Sequence, residues 1–152
     1  MAVRVFNGVD ELTAAVGQHL GYSEWHEITQ QQIDTFADAT GDHQWIHVDP
    51  QKAASGPFGS TIAHGYLTLS LLPMLCWEIY KIEGVSMGIN YGSNKVRFPS
   101  VVPVGSRVRA GVELAEVTPG PKGVQVVSRV TVEIDGSDRP ACVAETVSLI
   151  VP

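Results

Sequence analysis

The sequence predicts an α+β fold in which one antiparallel sheet curls around a single, very hydrophobic helix. Two observations carry this expectation. The run Tyr66 to Ile82, YLTLSLLPMLCWEIYKI, is apolar on almost every face. It is too short and too interrupted to cross a membrane, so such a helix must be buried nearly all round in protein. Everything after Gly84 then reads as strand, in three long alternating runs parted by the breakers TPGPKG and DGSDRP.

The elements follow in order. In VDELTAAVGQHL, the apolar residues Leu12, Ala15, Val16 and Leu20 have helical spacing. A short extended piece spans Trp25 to Ile28. Thr29 with Gln32 forms a T-x-x-Q capping box, a specific helix-start signal. Ile33, Phe36 and Ala37 put one apolar stripe on that helix, and Gly41 suits its end. The loop SGPFGSTIAHG leads into the long apolar run, which Pro73 should kink. Among the strands, Val108, Ala110, Val112 and Leu114 form one inward face, and Val126, Val130, Val132 and Ile134 another. Val143, Val147, Leu149 and Val151 are the expected inward face of the last run.

The 152 residues suit one domain, 1–152, without repeats or linkers. Apolar residues make up 44% and charged residues 17%, which marks a globular chain. So little hydrophilic surface points to a partner over part of the apolar excess, most simply a second copy. A net charge of −6 without a Lys/Arg cluster argues against nucleic acid and anionic membrane surfaces. Cys76 and Cys142, far apart in apolar settings, read as buried free thiols in a reducing compartment. With no apolar signal core at the start, a cytoplasmic location is expected.

The stretch GDHQWIHVDP, Gly41 to Pro50, crowds two histidines and two aspartates together. His43 and His47 lie four apart and Asp42 or Asp49 could add oxygen ligands, but the stretch follows a helix terminator. It also lacks C-x-x-C and H-E-x-x-H patterns, so metal binding is disfavoured. Proton transfer demands less. Asp42 and His47 on one loop can both reach a single water, with Trp45 and Ile46 as a dry wall. Asp49-Pro50 reads as an N-cap with proline in the first turn, and His43 as a solvated loop residue. A second constellation, AHGYL at the mouth of the apolar helix, places Gly65 where backbone N–H groups face outward. Such an N–H suits a carbonyl oxygen that gains negative charge.

With these motifs in hand, the chain resembles the MaoC-like dehydratases, the (R)-specific enoyl-CoA hydratases of the hot-dog fold. The resemblance runs from about Glu24 to the C-terminus. It rests on GDHQWIHVDPQKAA, on AHGYLTLSLL at the entry to the central helix, and on NKVRFPSVVPVGSRV after it. It implies that Asp42 and His47 are the catalytic pair, and that the Gly65 N–H holds the thioester oxygen. The implied reaction is reversible hydration of a trans-2-enoyl-CoA to an (R)-3-hydroxyacyl-CoA, with neither cofactor nor metal. A homodimer with joined sheets and a site in each protomer is also implied. Gln44-Trp45 departs from the Asn-Pro common at this place. Gln44 is assigned with Gly65 to substrate binding, its amide able to orient the pair, while the bulk of Trp45 bears on the acyl pocket or the dimer seam.

Two other functions are weighed. A hot-dog acyl-CoA thioesterase would use a similar carbonyl grip. An acyl-thioester-binding subunit of a hetero-oligomeric dehydratase would lack activity alone. The intact Asp42/His47 pair with AHG favours the hydratase. Arg97 is placed for CoA phosphates or for solvent, Asn90 and Tyr91 for pocket lining or edge packing. His64 is expected to orient the helix mouth through backbone contacts. Ser60, Ser70 and Ser86 have no base partner, which disfavours acyl-serine chemistry.

Overall fold

The computed structural model describes residues 2–152, as eight strands and six helices. In chain order these are β1 (Arg4–Asn7), α1 (Val9–Ala14), β2 (His19–Tyr22), β3 (His26–Glu27), α2 (Gln30–Thr40), α3 (Trp45–Val48) and α4 (Pro50–Ala54). Then come α5 (Gly65–Ser70), α6 (Leu72–Trp77), β4 (Tyr80–Glu83), β5 (Met87–Arg97), β6 (Arg107–Gly120), β7 (Gly123–Ile134) and β8 (Cys142–Val151).

The main sheet runs β2-β6-β7-β8-β5, with β3 also paired to β6, and every pairing in it is antiparallel. Its centre is the β6–β7 hairpin, in register from Val108 opposite Ile134 to Gly120 opposite Gly123. The alternation read in these two strands is the alternation observed. Val108, Ala110, Val112 and Leu114 are wholly buried, and Val126, Val130 and Val132 nearly so. Helices α5 and α6 lie on this face, Leu67, Leu72 and Leu75 joining its core. This is the hot-dog arrangement, a sheet wrapped on a helix.

The structure corrects the sequence reading in three elements. The central helix is shorter than the run Tyr66 to Ile82 and is split at Leu71. Pro73 does not kink a continuous helix; it sits in the first turn of α6, where its missing N–H costs nothing. The tail Tyr80–Glu83 leaves the helix and pairs in parallel with β1, where its alternation is satisfied. Nor is the helix buried all round: Tyr66 and Trp77 are 70% and 71% exposed, because the sheet covers only one side. At the N-terminus, helix stops at Ala14, Gly17 turns the chain at φ 90°, and Leu20 is buried from strand β2 instead. In β8 the expected inward face holds only at Val147, which is buried. Cys142, Ala144 and Ile150 enter the core cluster, while Val143, Leu149 and Val151 do not.

Local signals held elsewhere. Thr29 Oγ1 accepts the Gln32 N–H at 3.1 Å, Gly41 ends α2 in the left-handed region at φ 84°, and Asp49 Oδ1 accepts the Lys52 N–H at 3.0 Å. Both cysteines are free. Cys142 is buried but Cys76 only half-buried, and desolvation pushes their thiols up to about 11 and about 12.

Leu75 has no exposed surface and packs where α6 meets β6. Leu75→Ala should therefore cost about 2–5 kcal/mol in urea unfolding, and Thr29→Ala about 1 kcal/mol. A loss well under about 1 kcal/mol for Leu75→Ala would mean that the helix is not seated as described.

Candidate active site

The site forms where two loops meet beside the start of α5. Gly41 closes α2, its N–H bonded to the Ala37 carbonyl at 2.8 Å, and turns the chain outward. Asp42 follows in the loop, exposed, with its Oδ1 accepting the Gln44 N–H at 3.3 Å. The Gln44 carbonyl accepts the His47 N–H at 3.0 Å, so the short helix α3 places His47 on its inner side. His47 is 7% exposed.

The other loop runs antiparallel to the chain around Pro103 and reaches α3. Its Ile62 N–H donates to the Ile46 carbonyl at 3.0 Å, and its Ile62 carbonyl accepts His47 Nδ1–H at 2.7 Å. That bond fixes the neutral ring with its proton on Nδ1, leaving Nε2 as an acceptor. Gln30, in the first turn of α2, locks the same junction. Its amide donates to the His47 carbonyl at 2.8 Å and to Asp34 Oδ1 at 2.9 Å, while its oxygen accepts the Thr61 hydroxyl.

Asp42, His47 and His64 each bring one titratable atom to within 4.8 Å of the others. The sequence-level metal set does not assemble. His43 instead meets Asp38 at 3.0 Å on the surface, and Asp49 caps α4. The three residues that do gather are of metal-ligating types. However, the His47 and His64 rings are stacked at 3.9 Å and 23°. Lone pairs lie in the ring plane, so nearly parallel rings aim theirs side by side rather than at one ion. The arrangement suits proton transfer better than coordination.

Gly65 is the first residue of α5, so its N–H has no partner within the helix. A Cβ there would come within 3.1 Å of the Phe98 ring. Glycine at this position therefore answers a close approach by β5's trailing residue. A cleft of about 750 Å³ runs beneath α5 and α6, and none of Asp42, His47, His64 or Gly65 lines it. Leu69, Leu72, Cys76 and Ile82 line it on one side, and Val126, Ser128, Thr146 and Ile150 on the other. Val147 and Ser148 of β8 complete that wall. Asn90 and Tyr91 line it as well.

The remaining candidates separate cleanly. Gln44's side chain is exposed at the head of α3, its main-chain N–H on the Asp42 carboxylate. Trp45 packs away from the cleft, against Gly56 and under Lys52, whose Nζ lies 4.6 Å from the ring. Arg97 is exposed and donates to the Val96 carbonyl. Ser60, Ser70 and Ser86 donate to main-chain carbonyls. Gln30, Thr61 and Phe98 were not singled out from the sequence. Each acts across more than thirty positions or through another residue's main chain, and no local pattern announces that.

The chain is similar to proteins of one family. Residues 11–135 match the family described as MaoC like domain. The 3-hydroxyacyl-thioester dehydratase Z of Mycobacterium tuberculosis is 57% identical over 146 residues, 95% of this chain and 97% of its own. Nodulation protein N of Rhizobium leguminosarum bv. viciae is 48% identical over 143 residues, 92% of this chain and 89% of its own. The solved (R)-hydratase from A. caviae involved in PHA biosynthesis superposes with a TM-score of 0.73 at 26% identity, covering 90% of this chain and 96% of that one.

The Asp38 carboxylate accepts a hydrogen bond from His43 and so holds its ring charged to a pH above the ordinary histidine value. A raised folded value stabilises below the unfolded pKa, and that contribution fades as pH rises through the folded midpoint. Both groups are exposed, so the titration rather than stability reports the pair. In an NMR titration, Asp38→Asn should lower the His43 midpoint; an unmoved midpoint would dismiss the contact.

Proposed function

Because the chain belongs to the MaoC-like dehydratase family, we propose that it interconverts trans-2-enoyl-CoA and (R)-3-hydroxyacyl-CoA, as a single-domain cytoplasmic hydro-lyase. The observation that carries this reading is the pair itself. An exposed Asp42 carboxylate and a buried His47 imidazole stand within 4.8 Å, and the Ile62 carbonyl leaves His47 Nε2 free to accept a proton. The relatives named above as a dehydratase and an (R)-hydratase support the same chemistry.

In the hydration direction, the pair removes a proton from water as the oxygen adds to C3. Electron density moves through C2 onto the thioester oxygen, where the Gly65 N–H donates to it. A proton returned to C2 completes the addition and restores the pair. The atoms of water end as the C3 hydroxyl and a C2 hydrogen, and no cofactor is consumed. The cleft beneath α5 and α6, with Leu69, Leu72, Val126 and Ile150 among its lining, is the space offered to the acyl chain.

A homodimer belongs to this reading. Strand β5 pairs on one side only, with β8, and presents Met87, Ile89 and Tyr91 to solvent at 53%, 44% and 63% exposure. An apolar, unpaired edge of that length is a pairing surface, and a second β5 edge joins the two sheets. Sedimentation should give a dimer, and Ile89→Lys with Tyr91→Lys should move it toward monomer.

The direct test is to follow enoyl absorbance and free thiol together, with crotonyl-CoA and a medium-chain trans-2-enoyl-CoA. Loss of absorbance without thiol, yielding the (R)-3-hydroxy product, is expected. Thiol release would indicate the thioesterase instead, and silence on both would indicate a missing partner chain or a carrier-protein substrate. Asp42→Asn and His47→Gln should each lower turnover at least about a hundredfold with the circular dichroism unchanged. Near-normal turnover in either variant would remove that residue from the pair.

A further inference from the structure

His64 has one ring nitrogen that the fold leaves unused, and its presence is not explained by packing or by capping. It is 3% exposed, and its Nδ1 is buried without a hydrogen-bond partner. Leaving such an atom unpaired costs stability. A leucine would fill the volume without that cost. His64 also occupies the N-cap position of α5, where Ser, Thr, Asp or Asn would bond the first turn, yet its side chain makes no cap bond. The imidazole does two other things. Its Nε2–H donates to the Asp42 main-chain carbonyl at 3.0 Å, and its face stacks on His47 at 3.9 Å, with Phe36 packed against it at 4.9 Å.

We propose that His64 is a positioning residue for the hydration reaction, clamping the Asp42 main chain and the His47 ring into one unit. The proposal rests on the function given above. The clamp works because the two histidines carry opposite tautomers. His47 is protonated on Nδ1 toward the Ile62 carbonyl, and His64 on Nε2 toward the Asp42 carbonyl. Rotation of the His47 ring is blocked at its edge by that carbonyl and on its face by His64. Asp42, which lies in an exposed loop with only the Gln44 N–H on its carboxylate, gains a buried anchor. Both anchors come from one short segment, Ile62 to His64, and the next residue is Gly65. Carboxylate, imidazole and the thioester-binding N–H are thereby referenced to the same four residues. Pair geometry is then independent of motions elsewhere in the loops, and small displacements of positioned groups cost large factors in rate.

The test compares His64→Leu, which keeps volume and removes the donor, with His64→Gln, whose amide N–H reaches where Nε2 does. With crotonyl-CoA, His64→Leu should lower kcat at least about tenfold while KM stays within about threefold. His64→Gln should recover at least about fivefold of that loss, which a merely structural role would not produce. A normal kcat in His64→Leu, or a Gln variant no better than Leu, overturns the proposal. Long-range ¹H–¹⁵N histidine spectra of the wild type supply a readout that needs neither activity nor a folded variant. They should show His64 protonated on Nε2 and His47 on Nδ1, with the His47 ring protons displaced by the stacked ring. An Nδ1–H tautomer at His64 overturns the proposal. Wild-type silence on crotonyl-CoA would instead overturn the functional reading, with the tautomers still deciding the clamp.

Discussion

The structure depends on one demand: the inward face of the β6–β7 hairpin must be covered, and a single split helix does the covering. That face is wholly aliphatic from Val108 to Leu114, with Val126, Val130 and Val132 opposite. Burying such surface is the main favourable term in folding, and α5 and α6 meet it in one core with Leu12 of α1 and Ile33 of α2. Being short, they cover the centre and leave a strip toward β8 and β5 open. Thr146, Val147, Ser148 and Ile150 of β8 line that strip, which forms the cleft. The cleft is thus a consequence of incomplete cover rather than a separate construction.

The same demand fixes the polar site. For α5 to lie on the sheet, its leading segment must pass between α3 and the chain around Pro103. It does so through main-chain bonds at Ile62 and Ala63. Those bonds bring a carbonyl to His47 and an imidazole to the Asp42 carbonyl. Gln30 and Thr61 tie the junction to α2. Most polar groups around the pair are held by backbone, which is what lets an exposed carboxylate loop keep a defined geometry. The result is that Asp42, His47 and His64 meet at the point where the helix begins, next to the Gly65 N–H that has no partner within the helix.

Sequence patterning was informative wherever one residue's neighbours in the chain are also its neighbours in space. Thr29, Gly41 and Asp49 declared their caps because a cap bond closes within a few residues. The β6 and β7 faces declared themselves because Val108 to Leu114 and Val126 to Ile134 alternate aliphatic inward residues with outward ones that include Arg109, Glu113, Arg129 and Glu133. Strand β8 misled because large apolar residues stand on both its faces, Ile150 in the core cluster and Leu149 outside it, so alternation of size did not mark the inner side. The tail of the central run misled for a similar reason. Tyr80 to Glu83 is as apolar as a helix, but β1, seventy-odd positions earlier, supplies a ladder partner that no local window contains.

The sequence by itself determined the α+β class and the helix ends around the site, and it nominated Asp42, His47 and Gly65 as a set. Those follow from spacing, turn chemistry and a motif resemblance, all of which are local. Only the tertiary structure decided which histidine stands beside His47. His43, four positions away, turns out to Asp38 on the surface, while His64, seventeen positions on, stacks against the ring. It also decided the tautomer of each imidazole, because the carbonyls of Ile62 and Asp42 that select them are delivered by a loop crossing. Hydrogen bonds of that kind close long stretches of chain, and their geometry exists only once the helix has been seated on the sheet.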